Sequence, residues 1–262
     1  MAKNQISRRN FVLRSAAGIG GFAVSPYAAG AAKMEKKLEG IDENEETIPG
    51  TESYEAREDD VVIENEEFKL IIGADAVAKS LRNKSTGEEC LISNHDVPVS
   101  TITQERPYNN EVKLAYPCQQ MTFNANSVKR DGDRLIIRYD LLEYQMIVRL
   151  NIRPDYIEFR LEDFEIPKEF GGLGVLMKDP AVWQTAFLQL PVRRRTYYGD
   201  WLQVVWDDQV ATNILATNPF TNIAAEKNKD YFLLQAKAER DVKLKGASAA
   251  LINSATGKLL DH

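Results

Sequence analysis

Tyr156-Ile157-Glu158-Phe159-Arg160-Leu161-Glu162 is the stretch that decides the fold class. Apolar Ile157, Phe159 and Leu161 alternate with polar or charged neighbours. Period-two alternation puts successive side chains on opposite faces of a strand, one wet and one buried. The same reading spreads outward from this run. Arg153-Pro154-Asp155 is a turn signal before it, and Tyr144–Arg153 reads as the preceding strand. Further upstream, Asp131-Gly132-Asp133 separates Met121–Lys129 from Arg134–Leu142, a hairpin pattern. Near the start, Val61-Val62-Ile63 and Phe68–Ile72 are strand-like. Asn83-Lys84-Ser85-Thr86-Gly87-Glu88 carries turn chemistry between Val77–Arg82 and Cys90–Ile92. Later strands are expected at Thr185–Leu190, Leu202–Trp206, Val210–Ala216, Tyr231–Ala238 and Ala249–Ile252, while 222–229 reads as a short turn. Turn signals recur about every ten residues and helix signals are scarce, which predicts an all-β chain built as a large antiparallel two-sheet sandwich.

Length agrees with that reading. All-β sandwiches often run to about 200–250 residues as one domain, and the chain has 262. The charge is uneven: residues 1–32 carry +4, residues 33–60 carry −7, and the remainder holds −3 of the net −6. A nearly balanced folded part argues against a nucleic-acid partner, which calls for a basic face. Two cysteines, Cys90 and Cys118, are too few for a disulfide framework. They read either as a pair or as two buried thiols.

Residues 1–32 read as a twin-arginine signal peptide. Arg8 and Arg9 stand just before Phe11, a weak apolar stretch follows, and Ala29-Gly30-Ala31 supplies a small-residue cleavage site. Export to the periplasm or beyond, through the twin-arginine machinery, is therefore expected. Residues 33–60 read as an acidic flexible linker, too polar to offset the entropy of ordering. Residues 61–262 form the expected sandwich domain. Leu251–His262 reads as a strand, a turn at Asn253–Gly257 and the start of another element, the pattern of a fragment of a longer protein.

Chemistry concentrates in Arg193-Arg194-Arg195-Thr196-Tyr197-Tyr198-Gly199-Asp200-Trp201, with Trp206 close behind. Flat phenol and indole rings stack on the apolar C–H face of a sugar, while Arg and Asp bond its hydroxyls. A binding site needs this mixture of apolar wall and a few placed polar groups. Arg193, Arg195, Tyr197, Tyr198, Asp200, Trp201 and Trp206 are thus the candidate carbohydrate-binding residues. The alternative puts the tryptophans in the core and the arginines on a solvated or interdomain patch. His95 has the ordinary pKa of a general base but sits in a turn-like stretch. Glu158, Glu162, Asp163 and Glu165 offer the carboxylates that glycoside hydrolysis needs in pairs, yet on an alternating strand they read as the wet face. Asp207-Asp208 reads as a hairpin turn before it reads as a calcium site. No P-loop, dinucleotide fingerprint, zinc spacing or nucleophile elbow is present, so no cofactor or metal is expected and the catalytic residues are unassigned.

Two runs carry a family resemblance: Val62-Ile63-Glu64-Asn65-Glu66-Glu67-Phe68-Lys69-Leu70, and then Lys79-Ser80-Leu81-Arg82-Asn83-Lys84-Ser85-Thr86-Gly87-Glu88-Glu89-Cys90-Leu91. They resemble the opening of galactose-mutarotase-like supersandwich domains, as found before the catalytic barrel of multidomain glycoside hydrolases. The hairpin runs Gly132–Ile137 and Asp155–Phe159 are similar to that family as well, and the resemblance covers about residues 61–255. It implies a supersandwich, an oligo- or polysaccharide partner, and a non-catalytic accessory role beside a C-terminal catalytic domain. True mutarotases use histidines with a glutamate, whereas this chain holds only His95 and His262. Two other readings stay open: a free-standing epimerase or polysaccharide lyase, and a ligand-free structural envelope protein.

Overall fold

The computed structural model describes residues 54–105, 120–139, 145–165 and 182–257. The export signal at Arg8, Arg9 and Phe11, the linker as far as residue 53, Cys118 and His262 lie outside them. Fifteen strands are present among the described residues: β1 Val61–Glu64, β2 Phe68–Ile72, β3 Ala78–Asn83, β4 Thr101–Glu105, β5 Gln120–Asp131, β6 Arg134–Tyr139, β7 Gln145–Ile152, β8 Ile157–Glu165, β9 Val182–Arg193, β10 Tyr197–Gly199, β11 Val204–Trp206, β12 Val210–Ala216, β13 Asn222–Lys227, β14 Tyr231–Glu239 and β15 Ser248–Ala255. Strands β1-β2-β3 form a small sheet. The other twelve run β10-β11-β12-β15-β8-β7-β6-β5-β4-β9-β14-β13.

The long run of twelve is two stacked sheets joined through one strand. The first half of β5 pairs with β4, from Gln120 opposite Glu105 to Asn124 opposite Thr101. From Ala125 onward β5 pairs with β6, and a register shift between Ala125 and Ser127 marks the change. A strand that switches sheets at a bulge makes the corner of a sandwich. Ser100 supports this corner from inside: its Oγ donates to the Ala186 carbonyl at 2.7 Å and lies 2.7 Å from Tyr139 Oη. Residues of both sheets share one core, with Phe187 and Leu190 of β9 among the same buried cluster as Phe159 of β8 and Leu251 of β15. The chain is therefore the all-β antiparallel sandwich its alternation predicts, and in β8 the buried positions are Ile157, Phe159 and Leu161.

Three local expectations change. Residues 222–229 hold strand β13 rather than a turn: Ile223, Ala224 and Ala225 pair with Ala236, Gln235 and Leu234 of β14. Alanine and asparagine favour strands weakly, and the ladder offered by β14 overrides that local preference. The strand expected at Leu202–Trp206 begins only at Val204, because 200–203 form the tip of a hairpin. Asn253–Ala255 continue β15 instead of turning. Asn83 does head a turn, its Oδ1 accepting from the Ser85 and Thr86 amides at 3.0 Å, with Gly87 at φ 74. The similar motif at Asn253 has a different fate because its side chain is buried among partners of its own. Asn253 Nδ2 donates to Thr212 Oγ1 at 2.8 Å, and Asn253 Oδ1 accepts from Asn83 Nδ2 at 3.0 Å.

Candidate functional site

The pleat sorts the candidate residues. In β11, Val205 points to the core and is 1% exposed, so Val204 and Trp206 project from the opposite face. Register places Tyr197 beside Trp206 and Gly199 beside Val204, and then Trp206 beside Ala211 and Val204 beside Asn213. Strand β15 extends these rows, with Ser254 opposite Ala211 and Ile252 opposite Asn213. The rings of Tyr197 and Trp206 stack with centroids 5.4 Å apart. Gly199 lies under the indole: a Cβ there would meet the Trp206 ring at 3.5 Å and Val204 Cγ1 at 2.8 Å. At the tip of the hairpin Trp201 is 94% exposed and Leu202 is 59% exposed. An exposed aromatic and aliphatic surface of this kind is more informative than any buried one, because water disfavours it.

Tyr198 takes the other side of the hairpin. Its ring stacks on Phe232 of β14, with centroids 4.5 Å apart and planes 4° from parallel. Phe232 is itself buried, so this stack clasps strand β10 at one end of the twelve to β14 near the other. Lys227 Nζ lies 4.7 Å from the Tyr198 ring centre, and the Arg194 guanidinium 5.6 Å from that of Phe232. Tyr198 donates its hydroxyl to Asp200 Oδ1 at 3.0 Å. Burial, followed by that hydrogen bond and the Asp200 charge, pushes the phenol up to about 12.

The arginines are internal supports. Arg193 Nε donates to the Leu91 carbonyl at 2.8 Å. Arg195 has a side chain only 6% exposed and reaches Asp207 at 2.6 Å and Glu88 at 3.2 Å. Its other terminal nitrogen approaches the Cys90 sulfur at 3.8 Å. Cys90 is a free, buried thiol. Burial pushes its pKa up against the opposing pull of Arg195 and Asn253, so it stays protonated. Asp207 also closes the turn before β12, with Oδ1 accepting from the Gln209 and Val210 amides at 2.9 and 3.0 Å.

Glu158, Glu162 and Asp163 of β8 hold partners, and Glu165 at the end of the strand is exposed. Glu162 binds Arg134 and Arg149, both at 2.8 Å. Glu158 accepts from Thr217 Oγ1 at 2.9 Å, and Asp163 pairs with Lys245. His95 Nδ1 accepts the Val97 amide at 3.2 Å. Its pKa is lowered, chiefly by burial with Lys79 adding to the effect, so it acts as a neutral turn residue. No acid–base pair is assembled from these groups.

The structure thus divides the sequence-derived cluster into three parts. Tyr197, Trp201 and Trp206 line an exposed face; Tyr198 and Asp200 form a clasp; Arg193 and Arg195 brace the interior. Sequence reading passed over Leu202, Val204 and Ile252 on the face, and Phe232 beneath it. It also passed over Gln203, which is 2% exposed at φ 49. The side-chain oxygen and nitrogen of Gln203 have no hydrogen-bond partner among the described residues. No motif announces such a residue.

No family model matches the chain, and no curated protein matches it. Among solved structures it is similar to a GH31 family sulfoquinovosidase from E. rectale in complex with the aza-sugar inhibitor IFGSQ. Identity is 7% and the TM-score 0.30, over 73% of this chain and 32% of that one. The chain therefore spans about a third of that structure's length.

Proposed function

We propose that the chain is an exported carbohydrate-associated module, the non-catalytic accessory domain of a glycoside-hydrolase-like protein, with catalysis supplied by a companion domain. The observation that carries this reading is the exposure of Trp201, at 94%, on the same hairpin as the Tyr197–Trp206 stack. Such rings give large contact area at low entropic cost and dominate binding energy where they occur. The family resemblance over residues 61–91 supports the same class of ligand. On a glycan array, the full chain is expected to bind at least one oligo- or polysaccharide. Trp201→Ala should weaken that binding by about tenfold, or ~1.4 kcal/mol, without moving the unfolding midpoint. Tyr197→Ala should weaken it by a similar factor, at a stability cost no larger than the lost stack on Trp206, about 0.5–1.5 kcal/mol. A blank array, or variants that bind as well as the parent, would overturn the assignment.

The route of export is part of the proposal. Replacing Arg8 and Arg9 with lysine should hold the full chain in the cytoplasmic fraction, whereas the parent is recovered outside it. Equal fractionation of the two would remove the twin-arginine assignment.

A further inference from the structure

The outer face of β10, β11, β12 and β15 carries no formal charge. Its positions are Tyr197 and Gly199, then Val204 and Trp206, then Ala211, Asn213 and Leu215, and finally Ala250, Ile252 and Ser254, with the small Ala211 and Ala250 buried beneath their neighbours. Among the described residues, charged groups stand at its borders. Asp200 and Asp208 occupy the adjoining turns, and Glu158 faces Ala250 from β8. Arg160 lies further along β8, opposite Ser248. A border dominated by carboxylates repels an anionic chain, and it accepts hydrogen bonds from the hydroxyls of a neutral one. The face is also shallow, since Gly199 and Ala211 leave room beside Trp206 for the indole to lie along the sheet.

The hairpin tip adds an independent observation. Gln203 holds a left-handed backbone, and its amide is buried without a partner. Both features carry a local conformational or desolvation cost, and outliers of this kind cluster where a protein presents a binding group. Here the presented groups are Trp201 and Leu202, at the open end of the aromatic rows.

We infer that this face binds a neutral, extended polysaccharide laid flat across the strands, instead of a sugar end held in a pocket. The inference rests on the carbohydrate reading above and names the ligand class of the same surface. Ring faces stack on Trp201 and on the Tyr197–Trp206 pair, and chain hydroxyls donate to the exposed Asp208 at the border.

The test uses the full chain with four probes: insoluble cellulose, amylose, polygalacturonate and glucose. Cellulose should deplete the protein from solution, and 1 M NaCl should release little of it because stacking is not screened. The double variant Trp201→Ala/Tyr197→Ala should lower the partition by at least about tenfold with an unchanged circular dichroism spectrum. Preference for polygalacturonate, preference for amylose, or full competition by glucose would overturn the inference and leave the carbohydrate reading standing. Unchanged partition of the double variant would overturn the placement on this face. Binding to none of these probes would overturn the inference, and a blank glycan array in addition would remove the broader reading.

Discussion

Asp207→Asn is expected to lower the stability of the sandwich by about 3 kcal/mol at pH 7, read as a fall in the urea midpoint with an unchanged slope. The substitution keeps an acceptor oxygen for the Gln209 and Val210 amides, so the turn before β12 survives. What it removes is the negative partner of Arg195, whose side chain is 6% exposed. Breaking a buried ion pair from one side leaves the other charge uncompensated, a loss of about 3–5 kcal/mol. The lower end applies because Glu88 still reaches the guanidinium at 3.2 Å. Glu88→Gln, at a more exposed position, should cost only about 1 kcal/mol or less.

Titration separates this account from a simple packing loss. Burial by itself would raise the Asp207 pKa, but the Arg195 hydrogen bond and the two backbone amides outweigh it and hold the group below its ordinary value. A carboxyl depressed in the folded state adds stability that is fully present above the unfolded pKa and is lost as pH falls through the folded one. The gap between parent and Asp207→Asn should therefore be complete at neutral pH and narrow as pH drops below about 4. A gap that stays constant down to pH 2 would assign the effect to packing.

How much of this could be read in advance depends on the range of the interaction. Strand β8 was legible because Ile157, Phe159 and Leu161 repeat every second residue, and that local period fixes which face is buried. Strand β13 was illegible because Asn222–Lys227 has little strand preference of its own and is held by pairing with β14. The aromatic cluster was visible as composition, yet its division was not: Tyr197 and Tyr198 are neighbours in sequence and face opposite sides of the hairpin. Long-range ties leave no local trace at all. Asn83 and Asn253 look like two copies of one turn, but they meet across 170 residues, with Asn83 Nδ2 donating to both the side-chain and the backbone oxygen of Asn253. Arg195 reads as a sugar-binding arginine, or as part of a solvated or interdomain patch, until Glu88 and Asp207 are folded around it.

Phe232→Ala should cost about 3–5 kcal/mol, the range for truncating a buried aromatic, and its consequence should reach the proposed binding face. Phe232 is the aromatic partner of Tyr198, and their near-parallel stack joins the end of one sheet to the other. Removing the ring withdraws the surface that desolvates Tyr198, leaving the hairpin tied mainly through its pairing with β12. The tyrosine reports this directly. In the parent its phenol is pushed up to about 12 by burial first and then by Asp200. An acid whose pKa is raised by folding stabilises the protein below its unfolded pKa and loses that contribution as pH rises through the folded value. In Phe232→Ala the Tyr198 transition, followed by ultraviolet difference absorbance against Tyr198→Phe, should move down toward the ordinary tyrosine value of about 10. The double variant Tyr198→Ala/Phe232→Ala should cost less than the sum of Tyr198→Ala and Phe232→Ala, because the stacked contact, about 0.5–1.5 kcal/mol, is lost in each single variant and only once in the double. Glycan binding through Trp201 should weaken in step with the loosened hairpin. Full additivity together with an unmoved phenol transition would show that the two ends of the sandwich are held by something other than this stack.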